Sequence, residues 1–141
     1  MKYSTKLCDA IHTLVFIYFN PKEDLSSKSI ADSINTNPSY VRQLMSALNK
    51  AGILKSIQGH AKPELANNPK NITLCQIYLA IEGNKPLLHL DTNTNPDCCV
   101  GSNIQITMKS FYDEIQSVAI EKMKSITFQD ILDEYIKNDK K

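Results

Sequence analysis

Ser26–Leu65, SSKSIADSINTNPSYVRQLMSALNKAGILKSIQGHAKPEL, contains two short stretches of helical apolar periodicity separated by a polar turn. In the first, Leu25, Ile30, Ala31 and Ile34 fall on one face of a helix predicted over Ser27–Ile34. In the second, Val41, Leu44, Met45 and Leu48 do the same from Pro38 to Ala51, where Gly52 stops the helix. The turn Asn35-Thr36-Asn37-Pro38 suits that junction. Asn37 or Thr36 can cap the second helix, and Pro38 fits its first position because proline has no N–H to leave unpaired. Beyond Gly52, Ile53–Ile57 reads as a short strand, Gln58–Pro63 as a hairpin tip and Glu64–Ala66 as the returning strand. Two helices about a tight turn, then a hairpin, are the layout of a winged helix-turn-helix, whose second helix lies in the major groove of DNA.

The flanking segments extend this unit on both sides. A first helix is predicted from Ser4 or Thr5 to Phe19, ended by Asn20-Pro21, with Leu7, Ile11, Leu14, Val15 and Tyr18 on one stripe. Thr73 caps a helix carrying Leu74, Ile77, Tyr78 and Ile81 that ends at Gly83. Asp91–Asp97, DTNTNPD, is polar and aperiodic. A long helix follows over Val100–Lys124, where Ile104, Met108, Phe111, Ile115 and Val118 alternate four and three apart as a heptad-like seam. Ile106, Ala119, Met123 and Ile126 form a second apolar line. A helix with two apolar faces must bury both, one against its own domain and the other against a second copy of the chain. Thr127 with Asp130 reads as a capping box opening a last helix, with Phe128, Ile131, Leu132 and Tyr135 inward. The expected fold is mainly α with a small β-hairpin wing, a winged helix-turn-helix plus a long C-terminal dimerisation helix. Its divisions are a DNA-binding domain at 1–83, a linker or sensor loop at 84–99, the dimerisation and C-terminal helices at 100–137 and a disordered tail at 138–141.

The 141 residues carry a formal net charge of only +1, but the distribution is uneven. Lys28, Arg42, Lys50, Lys55 and Lys62 stand against Asp32 alone within residues 26–62, whereas from Ala66 onward acids outnumber lysines ten to eight. A basic excess on the predicted helix-turn-helix is the electrostatic footprint of a DNA-binding face, though a solvated charged face would look similar. No GxGxxG or GxxxxGK[ST] motif occurs. The N-terminal apolar run is broken by Cys8, Asp9 and His12 and is not a signal peptide, and no stretch is long enough to span a membrane. With four cysteines in such a chain, a reducing cytoplasm and free thiols are expected.

Among candidate DNA contacts, Arg42 stands first, near the start of the second helix where side chains meet base edges. Ser39, Tyr40 and Gln43 suit phosphate or base contacts, with Tyr40 equally suited to packing its ring on the hairpin. Lys28, Lys50, Lys55, His60 and Lys62 fit phosphate positioning or plain solvation. Cys98 and Cys99, near the start of the long helix, are either redox-sensing thiols or loop cysteines without a role. Cys8 and Cys75 lie on helices as small packing residues, and His89 with Cys98 and Cys99 lacks zinc spacing.

STKLCDAIHTL (4–14), SIADSINTNPSYVRQLMSALNKAGIL (29–54) and KNITLCQIYLAIEG (70–83) together resemble the Rrf2 family of bacterial winged-helix regulators, the IscR, NsrR and CymR type, nearest its YwnA-like branch. The resemblance extends to the terminal SITFQDIL (125–132). It implies a homodimer joined mainly through the long helix, which binds a two-fold-related operator as repressor or activator, repression being the expectation. In two places the chain departs from the family pattern. Its wing, Gly59-His60-Ala61-Lys62-Pro63-Glu64, lacks the usual glycines, aromatic and arginine, which leaves His60 and Lys62 as phosphate contacts. Members holding an iron–sulfur cluster place three spaced cysteines before the long helix; only the adjacent Cys98-Cys99 stand there, so no cluster or other cofactor is expected. Two other classes fit less well: a winged-helix protein-interaction module without DNA binding, and a cysteine enzyme using Cys98 or Cys99 with His89, which lacks an orienting third residue.

Overall fold

The structure, a computed structural model, describes residues 4–20, 24–56 and 62–140. In chain order they form α1 (Lys6–Phe19), α2 (Ser27–Ile34), α3 (Pro38–Lys50), β1 (Leu54–Ser56), β2 (Pro63–Leu65), a 3-10 turn (Pro69–Asn71), α4 (Leu74–Glu82), α5 (Cys99–Ser125) and α6 (Phe128–Asp139). This is the mainly α winged helix-turn-helix with a long helix that the sequence predicts. β1 and β2 are antiparallel, with Leu54 opposite Leu65, Lys55 opposite Glu64 and Ser56 opposite Pro63. Pro63 thus opens the returning strand instead of sitting in the tip, at an end position where its missing N–H costs little.

Local chemistry sets the helix-turn-helix. Ser26 Oγ accepts the Ser29 N–H at 3.2 Å at the start of α2, and Asn37 Oδ1 accepts the Tyr40 N–H at 2.9 Å at the start of α3. Between them Asn35 takes the left-handed conformation, φ 66°, and the Thr36 N–H reaches the Ala31 carbonyl at 2.9 Å. Asparagine tolerates that region better than other side chains do. Gly52, at φ 74°, ends α3, and the Ile53 N–H returns to the Leu48 carbonyl at 3.0 Å.

The core gathers Ala10, Leu14 and Ile17 of α1, Leu25, Ile30 and Ala31 at α2, and Val41, Leu44 and Leu48 of α3. Ile53, Leu54, Ile72 and Ile77 extend it, and Phe128 and Leu132 of α6 complete it. The buried face of α1 is rotated from the predicted stripe. Ala10, Thr13, Leu14 and Ile17 are buried, whereas Leu7, Ile11 and Val15 flank that face and Tyr18 is exposed. Small Ala10 admits close packing, and Thr13 sends its hydroxyl to the Asp9 carbonyl at 2.9 Å and so carries no unpaired polar group inward. Cys8 lies off this face and is exposed, contrary to its expected packing role, while Cys75 is buried.

α6 belongs to the N-terminal core, so the boundary expected at residue 100 does not separate two packing units. Thr73 and Thr127 form an antiparallel bridge, flanked by Leu74 N–H to Ile126 O at 2.8 Å and Phe128 N–H to Ile72 O at 2.7 Å. Each threonine also opens its helix through a full capping box, Thr73 with Gln76 and Thr127 with Asp130. Tyr135, expected inward, is exposed and lies against Phe19 with ring centroids 5.1 Å apart. Residues 138 and 139, expected in a disordered tail, continue α6 to Asp139. Lys137 near that end favours the helix dipole. Phe128→Ala is expected to lower unfolding free energy by about 3–5 kcal/mol, measured by denaturant titration, because its ring is fully buried in the core of the helix-turn-helix.

Candidate nucleic-acid interface

α3 is buried along Val41, Leu44 and Leu48, which leaves Ser39, Arg42, Gln43, Ser46, Asn49 and Lys50 exposed on its outer side. The 3.6-residue period forces this division: three apolar positions at spacings of three and four take one face, and the polar residues between take the other. Arg42 makes no ion pair among the described residues; its Nη1 donates to Ser27 Oγ at 3.1 Å. That bond links α3 to the start of α2 and leaves the guanidinium charge uncompensated. Lys28 on α2 and Lys62 before β2 are also exposed. His60 lies outside the described residues.

Two candidate contacts are engaged elsewhere. Lys55 pairs across the hairpin with Glu64, Nζ to Oε1 3.4 Å, an exposed pair that a phosphate can displace at small cost. Tyr40 is not free. Its hydroxyl donates to Asp9 Oδ2 of α1 at 2.7 Å, and its ring is half-buried against the core. Burial first, then the hydrogen bond and charge of Asp9, push the phenol up to about 12. A neutral phenol is therefore favoured in the fold. Its contribution to stability is present below the ordinary value of 10.0 and is lost as pH rises toward about 12.

Further contacts lay beyond local sequence reading. Asn49 Nδ2 donates to Ser56 Oγ at 3.4 Å and ties α3 to the hairpin. A cleft of ≈ 540 Å³ lies between α3 and α4, lined by Gln43, Ser46, Ala47, Lys50, Ala51 and Ala80. No short motif announces either contact, because their partners sit on separate elements.

The loop before α5 is ordered by its own polar groups. Thr94 Oγ1 donates to the Gly101 carbonyl at 2.6 Å. Gln105 Nε2 donates to Thr94 Oγ1 at 2.8 Å and also to the Asp91 carbonyl. The loop lies so close to α5 that a Cβ on Gly101 would meet the Asn95 carbonyl oxygen at 2.5 Å. Cys98 is the N-cap of α5 and Cys99 its first residue, both exposed. Backbone N–H groups of Gly101 and Val100 hold the Cys98 thiol below its usual value.

α5 spans 27 residues without burying one, a length of about 40 Å. Along the predicted seam, Ile104, Phe111, Ile115 and Val118 are exposed, Phe111 by 55% and Val118 by 71%, and Met108 is half-buried. Ile106 of the second line is 76% exposed. Gln116 ties the helix to its own domain: its Oε1 accepts the Leu87 N–H at 2.9 Å and its Nε2 donates to Tyr78 Oη at 3.3 Å.

With this geometry described, comparison with known proteins is direct. The family model described as "Rrf2: Iron-dependent Transcriptional regulator" matches residues 3–134. The chain is 35% identical over 129 residues to "Putative HTH-type transcriptional regulator YwnA" of Bacillus subtilis (strain 168), covering 92% of this chain and 96% of that one. Its fold superposes on the crystal structure of "a putative DNA binding protein" with TM-score 0.71 and 34% identity, over 90% of this chain and 98% of that one. CymR (YrzC), the global cysteine regulator of B. subtilis, matches with TM-score 0.65 and 25% identity, over 94% of this chain and 97% of that one.

The iron named in the family description finds no matching donor set among the described residues. Among the described residues no three His, Cys, Asp or Glu side chains gather where they could hold a metal ion. At the loop–α5 junction stand two adjacent cysteines, half of what a four-thiolate cluster takes. Also among the described residues, no helix is long and apolar enough to cross a membrane. A winged helix-turn-helix with a cationic, solvent-facing second helix, matched over nearly its whole length, identifies the chain as a member of the Rrf2 family of transcriptional regulators.

Proposed function

We propose that the protein is a cytoplasmic homodimer that reads a two-fold-related DNA operator with α3 and represses transcription there. On this reading it has neither a catalytic activity nor a resident iron–sulfur cluster. The observation that carries the reading is the pairing of two unlike surfaces on one chain. The outer side of α3 is polar and exposes Arg42 and Lys50, neither of them in an ion pair among the described residues. α5 displays an apolar line, Ile104, Phe111, Ile115 and Val118, that a lone protomer leaves in water. A contiguous line of exposed apolar side chains marks an association surface, and a symmetric partner would present the same line in return.

Within that dimer, Ser39, Arg42 and Gln43 face base edges, while Lys28, Lys50, Lys55 and Lys62 neutralise phosphates. Thiol responsiveness fits Cys98, which is exposed and carries a lowered thiol pKa. At neutral pH it holds more thiolate than an ordinary cysteine does.

Arg42→Ala is expected to weaken operator binding by about 1–3 kcal/mol without altering the oligomeric state. A salt-controlled gel shift on a duplex selected by the wild-type protein from a random pool checks this, and unchanged affinity would refute the role. Footprinting should reveal two half-sites about one helical turn apart. Phe111→Asp combined with Ile115→Asp is expected to convert a dimer to a monomer in light scattering, whereas a monomeric wild-type protein would contradict the reading. Brief iodoacetamide treatment at neutral pH, followed by mass spectrometry, should label Cys98 well before the buried Cys75.

A further inference from the structure

The Asp9–Tyr40 hydrogen bond joins residues 31 positions apart, next to the side chains proposed to meet DNA. Asp9 lies in the first turn of α1. Its Oδ2 accepts the Tyr40 hydroxyl at 2.7 Å and the Thr5 hydroxyl at 3.4 Å. Its own backbone carbonyl accepts Thr13 Oγ1 at 2.9 Å, which anchors it further into α1. Tyr40 sits in the first turn of α3, and its backbone N–H is taken by Asn37 Oδ1 at 2.9 Å. That turn is thus held at both backbone and side chain, and Ser39, Arg42 and Gln43 project from it and from the turn that follows. α1 and α3 also meet within the apolar core, to which they contribute Ala10 and Leu14, and Val41 and Leu44, respectively. Apolar packing is non-directional and fixes separation better than rotation. A charge-assisted hydrogen bond is directional and supplies what the packing does not.

We propose that Asp9 is a positioning residue for DNA binding: through Tyr40 it fixes the orientation of the first turn of α3, and so aims Ser39, Arg42 and Gln43. The assignment rests on α3 being the helix that reads DNA. It makes a prediction whose sign is opposite to that of simple electrostatics. A carboxylate near a DNA-facing helix repels phosphate, so loss of its charge alone would tighten binding. Loss of positioning would weaken it, since the freed turn must be ordered again in the complex.

The test is a gel shift at fixed salt with full-length wild-type protein, Asp9→Ala, Asp9→Asn, Tyr40→Phe, the Asp9→Ala/Tyr40→Phe double variant and Arg42→Ala. The probe is a duplex selected by the wild-type protein from a random-sequence pool, and thermal melting is recorded for each variant. Asp9→Ala and Tyr40→Phe are expected to bind about three- to tenfold more weakly. The double variant should bind no more weakly than either single one, because both remove the same bond. Asp9→Asn keeps an acceptor oxygen without the charge and should bind at least as tightly as wild type. If Asp9→Ala or Tyr40→Phe bound as tightly as wild type while Arg42→Ala lost affinity, α3 would stand as the reading helix and the positioning role would be overturned. If Arg42→Ala bound as wild type, the reading of α3 itself would fall. Should Asp9→Ala melt below the assay temperature, Tyr40→Phe and Asp9→Asn decide the matter alone, weak binding by the first with tight binding by the second supporting the role.

Discussion

Two backbone hydrogen bonds close the chain on itself, and the arrangement of the molecule follows from them. Leu74 N–H to Ile126 O and Phe128 N–H to Ile72 O pin the start of α4 to the start of α6. The bridged pair, Thr73 and Thr127, does double duty, since each side chain also caps the helix that follows it. The chain stays in the core through Ile77 of α4, leaves it beyond that helix and must return to it at α6. Closing so long an excursion costs chain entropy, but that cost grows only slowly with length. Burial of Phe128 and Leu132 where the chain returns offsets it.

Because both ends of the excursion are fixed, α5 stands as a braced strut. Its C-terminal end is held by the closure, its middle by Gln116 against Tyr78 and Leu87, and its first turns by Thr94 and Gln105. Polar bonds contribute to this bracing, while Ile104, Ile106, Phe111, Ile115 and Val118 of α5 remain exposed. α3 is the opposite case. Apolar packing seats it in the core, and its polar residues remain outside. The chain therefore carries two separate exposed surfaces of unlike chemistry, a cationic polar one at α3 and an apolar one along α5. The mobile-looking composition of DTNTNPD conceals a loop with regular Asx-type bonds, Asn93 N–H to Asp91 and Asp97 N–H to Asn95, that allows it to lie against α5 only because residue 101 has no Cβ.

Caps, turns and the inner faces of the short helices were legible in the sequence because they are local. Asn37, Thr73 and Thr127 all lie within a few residues of the N–H groups they satisfy. The face of α1 was not, since the apolar residues of that helix spread around more than half its circumference and several stripes compete. What chose Ala10 and Thr13 was close approach by other elements, a property of partners and not of periodicity. Tyr135 and Cys8 were misplaced for the same reason: an apolar side chain at a plausible spacing still needs a surface opposite it.

The sequence by itself determined the succession of elements, the helix-turn-helix, the wing's position and the apolar seam of the long helix, because each is written in spacings of four residues or fewer. It also singled out Arg42 and the polar side of α3. Tertiary structure alone decided that α6 completes the N-terminal core, that Tyr40 is tied to Asp9 and not free, that Lys55 is paired with Glu64, and that Arg42 leans on Ser27. Each of these unites groups on different elements, and a linear pattern holds no record of which elements meet. Their distances follow only once the core has packed and the chain has closed at Thr73 and Thr127.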